Sequence, residues 1–171
     1  TPDANNVMDR VRRALGHATT PAEVPPPPTL PEPIVRLVAV DANLVEIFSE
    51  RARELKMHIT PVSAASVSSE IVQFVKNPPI HRLSLSDTTL LNRLGIDQAL
   101  SAAGFDAKRW SEITLDEVYE VDCGVTDVHC AVAETASLVI KPGATHGRAL
   151  SLVPLFHIAI VEKRQILPDL I

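Results

Sequence analysis

HRLSLSDTTLLNRLGIDQALSAAG, residues 81–104, changes its period part-way along. Over 81–86 apolar and polar residues alternate, the repeat of a β-strand, and from Thr89 the apolar residues follow helical spacing until Gly104 stops the run. A strand that leads directly into a helix cannot pair with its successor through a tight hairpin, so the stretch predicts a crossover and a parallel neighbour.

The same alternation extends upstream. IVRLVAV at 34–40 is too uniformly apolar for a strand with one wet face and reads as a strand buried on both. Asp41 is placed to cap a helix carrying Leu44, Val45, Phe48, Ala52 and Leu55; MHITPV at 57–62 reads as a second strand; SVSSEIVQFVKN at 66–77 reads as a second helix, stopped by Pro78 and Pro79. The order βαβα predicts an α/β fold with an open, mostly parallel sheet and flanking helices. Such sheets bind ligands at the carboxyl ends of their strands.

Residues 1–20 differ from this core. DANNVMDRVRRALGH sets Ala4, Val7, Met8, Val11, Ala14 and Leu15 at helical spacing, with Asp3 as cap, arginines in the last turn and Gly16 as the stop: an amphipathic N-terminal helical arm. Residues 21–33 hold half of the chain's 14 prolines and read as a semi-rigid linker. The expected organisation is arm 1–20, linker 21–33 and α/β domain 34–171.

Composition bounds the function. In 171 residues, 46% apolar and 4% aromatic, there is room for one well-buried domain, and no apolar run approaches the ~20 residues needed to span a bilayer. A formal charge of −5 without a lysine or arginine cluster argues against nucleic acid as a partner. The chain begins at Thr1, and nothing after it has the pattern of a secretory signal. The two cysteines, Cys123 and Cys130, fit neither a redox pair nor a zinc set, and two thiols cannot supply the four thiolates of an iron–sulfur cluster. They read as free thiols in a reducing compartment, the cytoplasm, in a chain that binds no metal. No glycine-rich phosphate fingerprint of the dinucleotide or P-loop kind is present, nor a G-x-S-x-G nucleophile motif, and Ser151 has no base close in sequence.

The last third carries the candidate site. YEVDCGVTDVHCAVAE at 119–134 reads as a short helical turn, and the later runs at 137–141 and 157–161 either pair with each other or extend the sheet edge. Gly124, Val125 and Thr126 precede the expected turn, where Thr126 would cap a helix start and leave backbone N–H groups free for a carboxylate or phosphate. Glu134 interrupts an apolar run and needs a partner or a purpose. Arg148 or backbone amides would satisfy it structurally; alternatively, Glu134 and Thr135 line a pocket shared with the loop at 143–148, which is the reading taken here. In that loop Gly143 and Gly147 permit positive φ, Arg148 offers a planar fork of donors to an anion, and His146 is the exposed member. His157 begins a strand and reads as a core or edge histidine; His58, His81 and His129 are dispersed.

Gly124-Val-Thr126, Ala133-Glu134-Thr135 with a small residue after it, Gly147-Arg148, Ser151-Leu-Val-Pro154 and His157-Ile158 resemble, in order and spacing, the core of the LUD domain family over roughly 119–168. The opening RVRRALG is similar to that family's N-terminal arm. The family usually has glycine and threonine where this chain has Ala136 and Ser137, and its loop is shorter than KPGATHGR. The resemblance implies a fold similar to the CoA-transferase and ribose-phosphate isomerase type. It also implies a role in a bacterial complex that oxidises L-lactate to pyruvate, in which partner subunits carry the iron–sulfur clusters and this chain binds no cofactor. On this reading the chain either binds a small organic anion, with Gly124, Thr126, Glu134, Thr135, Ser137, Gly143, His146, Gly147 and Arg148 as candidate ligand residues, or organises the complex. The alternative is an independent enzyme acting on an organic anion or acyl thioester.

Overall fold

The computed structural model describes residues 4–17, 26–27, 37–39 and 41–170. These fall into two units, one within residues 1–35 and one within 36–171. In the first, helix α1 (Ala4–Ala14) ends at Gly16, whose φ of 72° turns the chain so that the His17 amide donates to the Arg12 carbonyl at 2.8 Å. Val7, Val11 and Leu15 form an exposed apolar row on it. The expected cap Asp3 lies outside the described residues, as does the linker apart from Pro26 and Pro27. Of the strand expected at 34–40 only Leu37, Val38 and Ala39 are described, and they form none.

In the second unit, α2 (Leu44–Glu54) is capped by Asn43, whose side-chain oxygen accepts from the Glu46 amide at 3.4 Å, and not by Asp41. Helix α3 (Val67–Val75) follows. Residues 57–62, expected as a strand, join no sheet: among the described residues no strand pairs with them. The helical region after β1 (Arg82–Leu85) is broken in two, α4 (Thr89–Leu94) and α5 (Ile96–Ala102), because Gly95 sits at φ 61°. Strand β2 (Asp106–Arg109) is followed by β3 (Cys123–Asp127), β4 (Cys130–Val132), β5 (Ser137–Val139), β6 (Phe156–Ile160) and the short β7 (Ile166–Leu167).

Four strands make the open parallel sheet the sequence predicts, in the order β2-β1-β3-β6, with β6 at one edge. A second sheet, β5-β4-β7, holds an antiparallel hairpin and a parallel partner. The runs at 137–139 and 156–160 therefore do not pair with each other: one folds back on β4, the other extends the sheet edge. The segment read as a helical turn is instead two strands, β3 and β4.

One face of the larger sheet is apolar. Leu83, Leu85, Cys123 and Val125 pack with Ile71 and Val75 of α3, Leu91 of α4 and Leu100 of α5. By the two-residue repeat, Ser84, Ser86, Gly124 and Thr126 point to the opposite face. Asp122 fastens the start of β1 to β3, its carboxylate accepting from the amides of His81 at 2.8 Å and Arg82 at 2.9 Å. Those two bonds, Arg82's first, hold its pKa below the usual range.

Candidate functional site

The carboxyl ends of β1 and β3 gather the polar residues. After β1, the Asp87 amide donates to the Thr145 carbonyl at 2.8 Å and the Asp87 carboxylate accepts from the Ser111 amide at 2.8 Å. Arg109, at the end of β2, donates to the Ser86 carbonyl at 3.2 Å and pairs with Asp97 at 2.7 Å. The segment 141–151 thus lies across the strand ends, and a backbone bridge between Gly143 and His146 closes a turn within it.

That bridge reverses the expectation for His146. The turn carries the side chain inward, leaving it 7% exposed, with Nδ1 3.4 Å from Asp127 Oδ1. Burial lowers the imidazole's pKa, and the Asp127 charge partly offsets this. Thr126 does not cap a helix. It is fully buried within β3, and its hydroxyl lies 2.9 Å from Nε2 of His157 on the neighbouring β6. His157 also has a lowered pKa, through burial first and then through His146, so the two histidines sense each other. Two imidazoles kept neutral, one beside a hydroxyl and one beside a carboxylate, can accept or relay a proton.

The glycines serve close approach rather than positive φ. A Cβ on Gly124 would lie 1.9 Å from the Leu150 carbonyl oxygen, so only glycine lets the turn Arg148–Ser151 rest on β3. Gly147 has φ −77°, and a Cβ there would lie 2.3 Å from the Trp110 ring. Gly143 has open space around it and no positive φ.

Glu134 is neither buried in a core nor paired with Arg148. It is half-exposed in the turn joining β4 to β5, where its amide donates to the Pro168 carbonyl at 3.1 Å, and among the described residues neither its carboxylate nor the exposed Arg148 guanidinium forms an ion pair. Thr135 is exposed beside it and donates to the Ser137 hydroxyl at 2.8 Å. Ala136 closes this turn at φ 52°, a left-handed conformation that favours glycine. The structure pairs Thr126 with His157 and His146 with Asp127, packs Gly124 against Leu150 and Gly147 against Trp110, and sets Glu134, Thr135 and Ser137 on the hairpin of the second sheet. Sequence reasoning missed Asp127, and it set His157 aside as structural. The available signal was that each is a polar residue inside or ending an otherwise apolar strand.

His157 also opens onto a groove of about 680 Å³ that runs along β6 and faces residues 57–62. Its walls are mainly apolar, among them Phe48, Met57, Ile59 and Phe74, and Glu70 is the one charged side chain among its described lining residues. Among the described residues no three His, Cys, Asp or Glu side chains converge as a metal site, and no helix is long and apolar enough to cross a membrane.

The LUD domain family model matches residues 45–171. Two curated relatives, both named lactate utilization protein C, come from Deinococcus radiodurans and Halalkalibacterium halodurans. The first is 27% identical over 94% of this chain and 69% of its own length; the second is 21% identical over 96% and 71%. A crystal structure of a DUF162 family protein from Deinococcus radiodurans superposes with a TM-score of 0.61 at 27% identity, covering 74% of this chain and 73% of that one. Sequence and fold agree: the chain belongs to the LUD domain family.

Proposed function

We propose that this protein serves bacterial lactate utilisation as a cytoplasmic subunit without a redox centre of its own, which binds a small organic anion or organises the iron–sulfur subunits that oxidise L-lactate to pyruvate. The observation that carries this reading is the family match over 45–171 together with relatives named for lactate utilisation. The chemistry supports the division of labour. Taking two electrons from lactate requires an acceptor that side chains do not provide. This chain has two cysteines, one fully buried, against the four thiolates a cluster needs. What it does offer is hydrogen bonding and proton exchange at Thr126, His157, His146 and Asp127, and a cation on the surface at Arg148.

The test is genetic and then biochemical. Deleting the coding sequence should abolish growth on L-lactate but not on pyruvate, and the chain supplied in trans should restore it. The purified chain should not oxidise lactate with an artificial electron acceptor until iron–sulfur partners are added. Normal growth of the deletion strain on lactate, or robust turnover by the single chain, would refute the reading.

A further inference from the structure

Strand β6 is half-exposed along all five of its residues, whereas four of the five residues of β3, its inner neighbour, are buried. The difference lies in the outer flank of β6, which no described strand pairs, so the amides and carbonyls there have no ladder partners. The groove of about 680 Å³ runs along that flank. Its far wall at 57–62 is short of partners too. Met57 and Ile59 are half-buried while His58 and Thr60 are exposed, the two-residue repeat of an extended chain, and among the described residues the backbone groups of 58–62 form no backbone hydrogen bond.

The groove is therefore a slot between two extended segments. A five-residue strand beside β6 fills about 800 Å³ at ordinary rise, strand spacing and layer separation, close to the volume present. Both core clusters line the slot, one through Ile71 and Phe74, the other through Phe48, Ile59 and Leu138, so each face of an inserted strand would meet apolar walls. Glu70, the one charged side chain among the described lining residues, forms no ion pair with any described residue. The slot asks for an extended segment that is apolar at successive positions and carries one cation.

RLVAV, residues 36–40, has that composition: one arginine and then four apolar residues, within the run whose uniform apolarity reads as a strand buried on both faces. In their own chain Leu37, Val38 and Ala39 form no strand and do not line the groove. Leu37 is 78% exposed, Ala39 is exposed as well, and Val38 is buried.

We propose that two copies of this chain exchange residues 36–40, each segment entering the slot of the other copy as a strand beside β6, with Arg36 facing Glu70. The exchange is reciprocal, so the same surfaces meet twice and the assembly closes as a dimer. Leu37 and Ala39 leave water, Val38 trades one apolar setting for another, and the backbone groups of β6 gain a ladder.

Sedimentation equilibrium of the full chain from micromolar to millimolar concentration, with amide hydrogen exchange of β6 as a second readout, tests this. The expected result is a monomer–dimer equilibrium in which β6 amides exchange more slowly as dimer forms. Leu37→Glu/Ala39→Glu alters residues that are exposed in the monomer, so the chain stays folded, and it should weaken dimerisation at least ~10-fold by placing unpaired charge in the slot. Glu70→Arg should weaken it too, and Arg36→Glu in the same chain should restore it, an outcome that misfolding cannot imitate. A monomer throughout the range, an open series of larger species, dimerisation unchanged by Leu37→Glu/Ala39→Glu, or charge reversal without rescue would overturn the proposal. So would β6 amides as protected in the monomer as in the dimer, which would put a strand of the same chain in the slot.

Discussion

Gly124→Ala is the most demanding test of how the segment over the sheet is held. The added Cβ would lie 1.9 Å from the Leu150 carbonyl oxygen and 2.8 Å from its carbon, where ordinary contact begins at 3.4 Å. The Leu150 backbone would therefore have to retreat by ~1.5 Å from a position where its side chain is fully buried. A backbone atom cannot rotate out of the way as a side chain can. Overpacking of this kind costs about 1–3 kcal/mol, and the backbone obstacle puts the expected loss near ~3 kcal/mol. For a chain of this size that is a fall in Tm of about 6–12 °C. Thermal and urea unfolding followed by circular dichroism measure it, with Gly143→Ala as the control, since a Cβ there meets nothing within 4 Å. A Tm for Gly124→Ala within ~2 °C of the parent would show that the segment does not press on β3 as described.

Cys123 is fully buried and its thiol is pushed up to about 12, by burial first and by Asp122 second, so a thiol reagent should titrate Cys130 in the folded protein and reach Cys123 only on unfolding. Burial holds His146 and His157 below the ordinary 6.5, so the unfolded chain takes up protons there that the folded one refuses; stability should be complete above pH ~6.5 and decline as the pH falls below it, and a double His→Gln variant should flatten that slope. Glu134→Gln should leave the unfolding free energy within ~0.5 kcal/mol of the parent, because the carboxylate is half-exposed and forms no ion pair among the described residues; a large loss would return Glu134 to a structural role. Arg148→Ala should likewise preserve stability while weakening any small-anion binding at the loop, which calorimetry with inorganic phosphate would detect.

Period and punctuation made β1, α2, α3 and the helical region 89–104 legible, because each rests on local pattern: alternation at 82–85, Pro78 and Pro79 after α3, glycine at 104; the break at Gly95 inside that region was not read. What depended on neighbours was not. CGVTD and CAV are too short and too evenly apolar to be told from a helical turn until β1 and β6 are known to flank the first and β5 and β7 the second. His146 looked exposed because glycines and an arginine surround it, yet a single backbone bridge decided its direction. Gly147 was read as a glycine for positive φ and Gly124 as part of a helix start, whereas each is a glycine because of a close neighbour, Trp110 in the first case and Leu150 in the second, both distant in sequence. The meeting of Thr126 with His157 joins residues 31 apart and is set by the register of two strands, which no spacing rule reports.

Strand β6 pairs on one flank with β3, and among the described residues nothing pairs with its other flank. Natural sheets blunt such a flank with lysine, proline or a bulge, because a row of free amides and carbonyls templates any strand that arrives. Phe156–Ile160 reads FHIAI and has none of these guards. As long as the flank stays open, this is the stretch from which aggregation would start in concentrated solution.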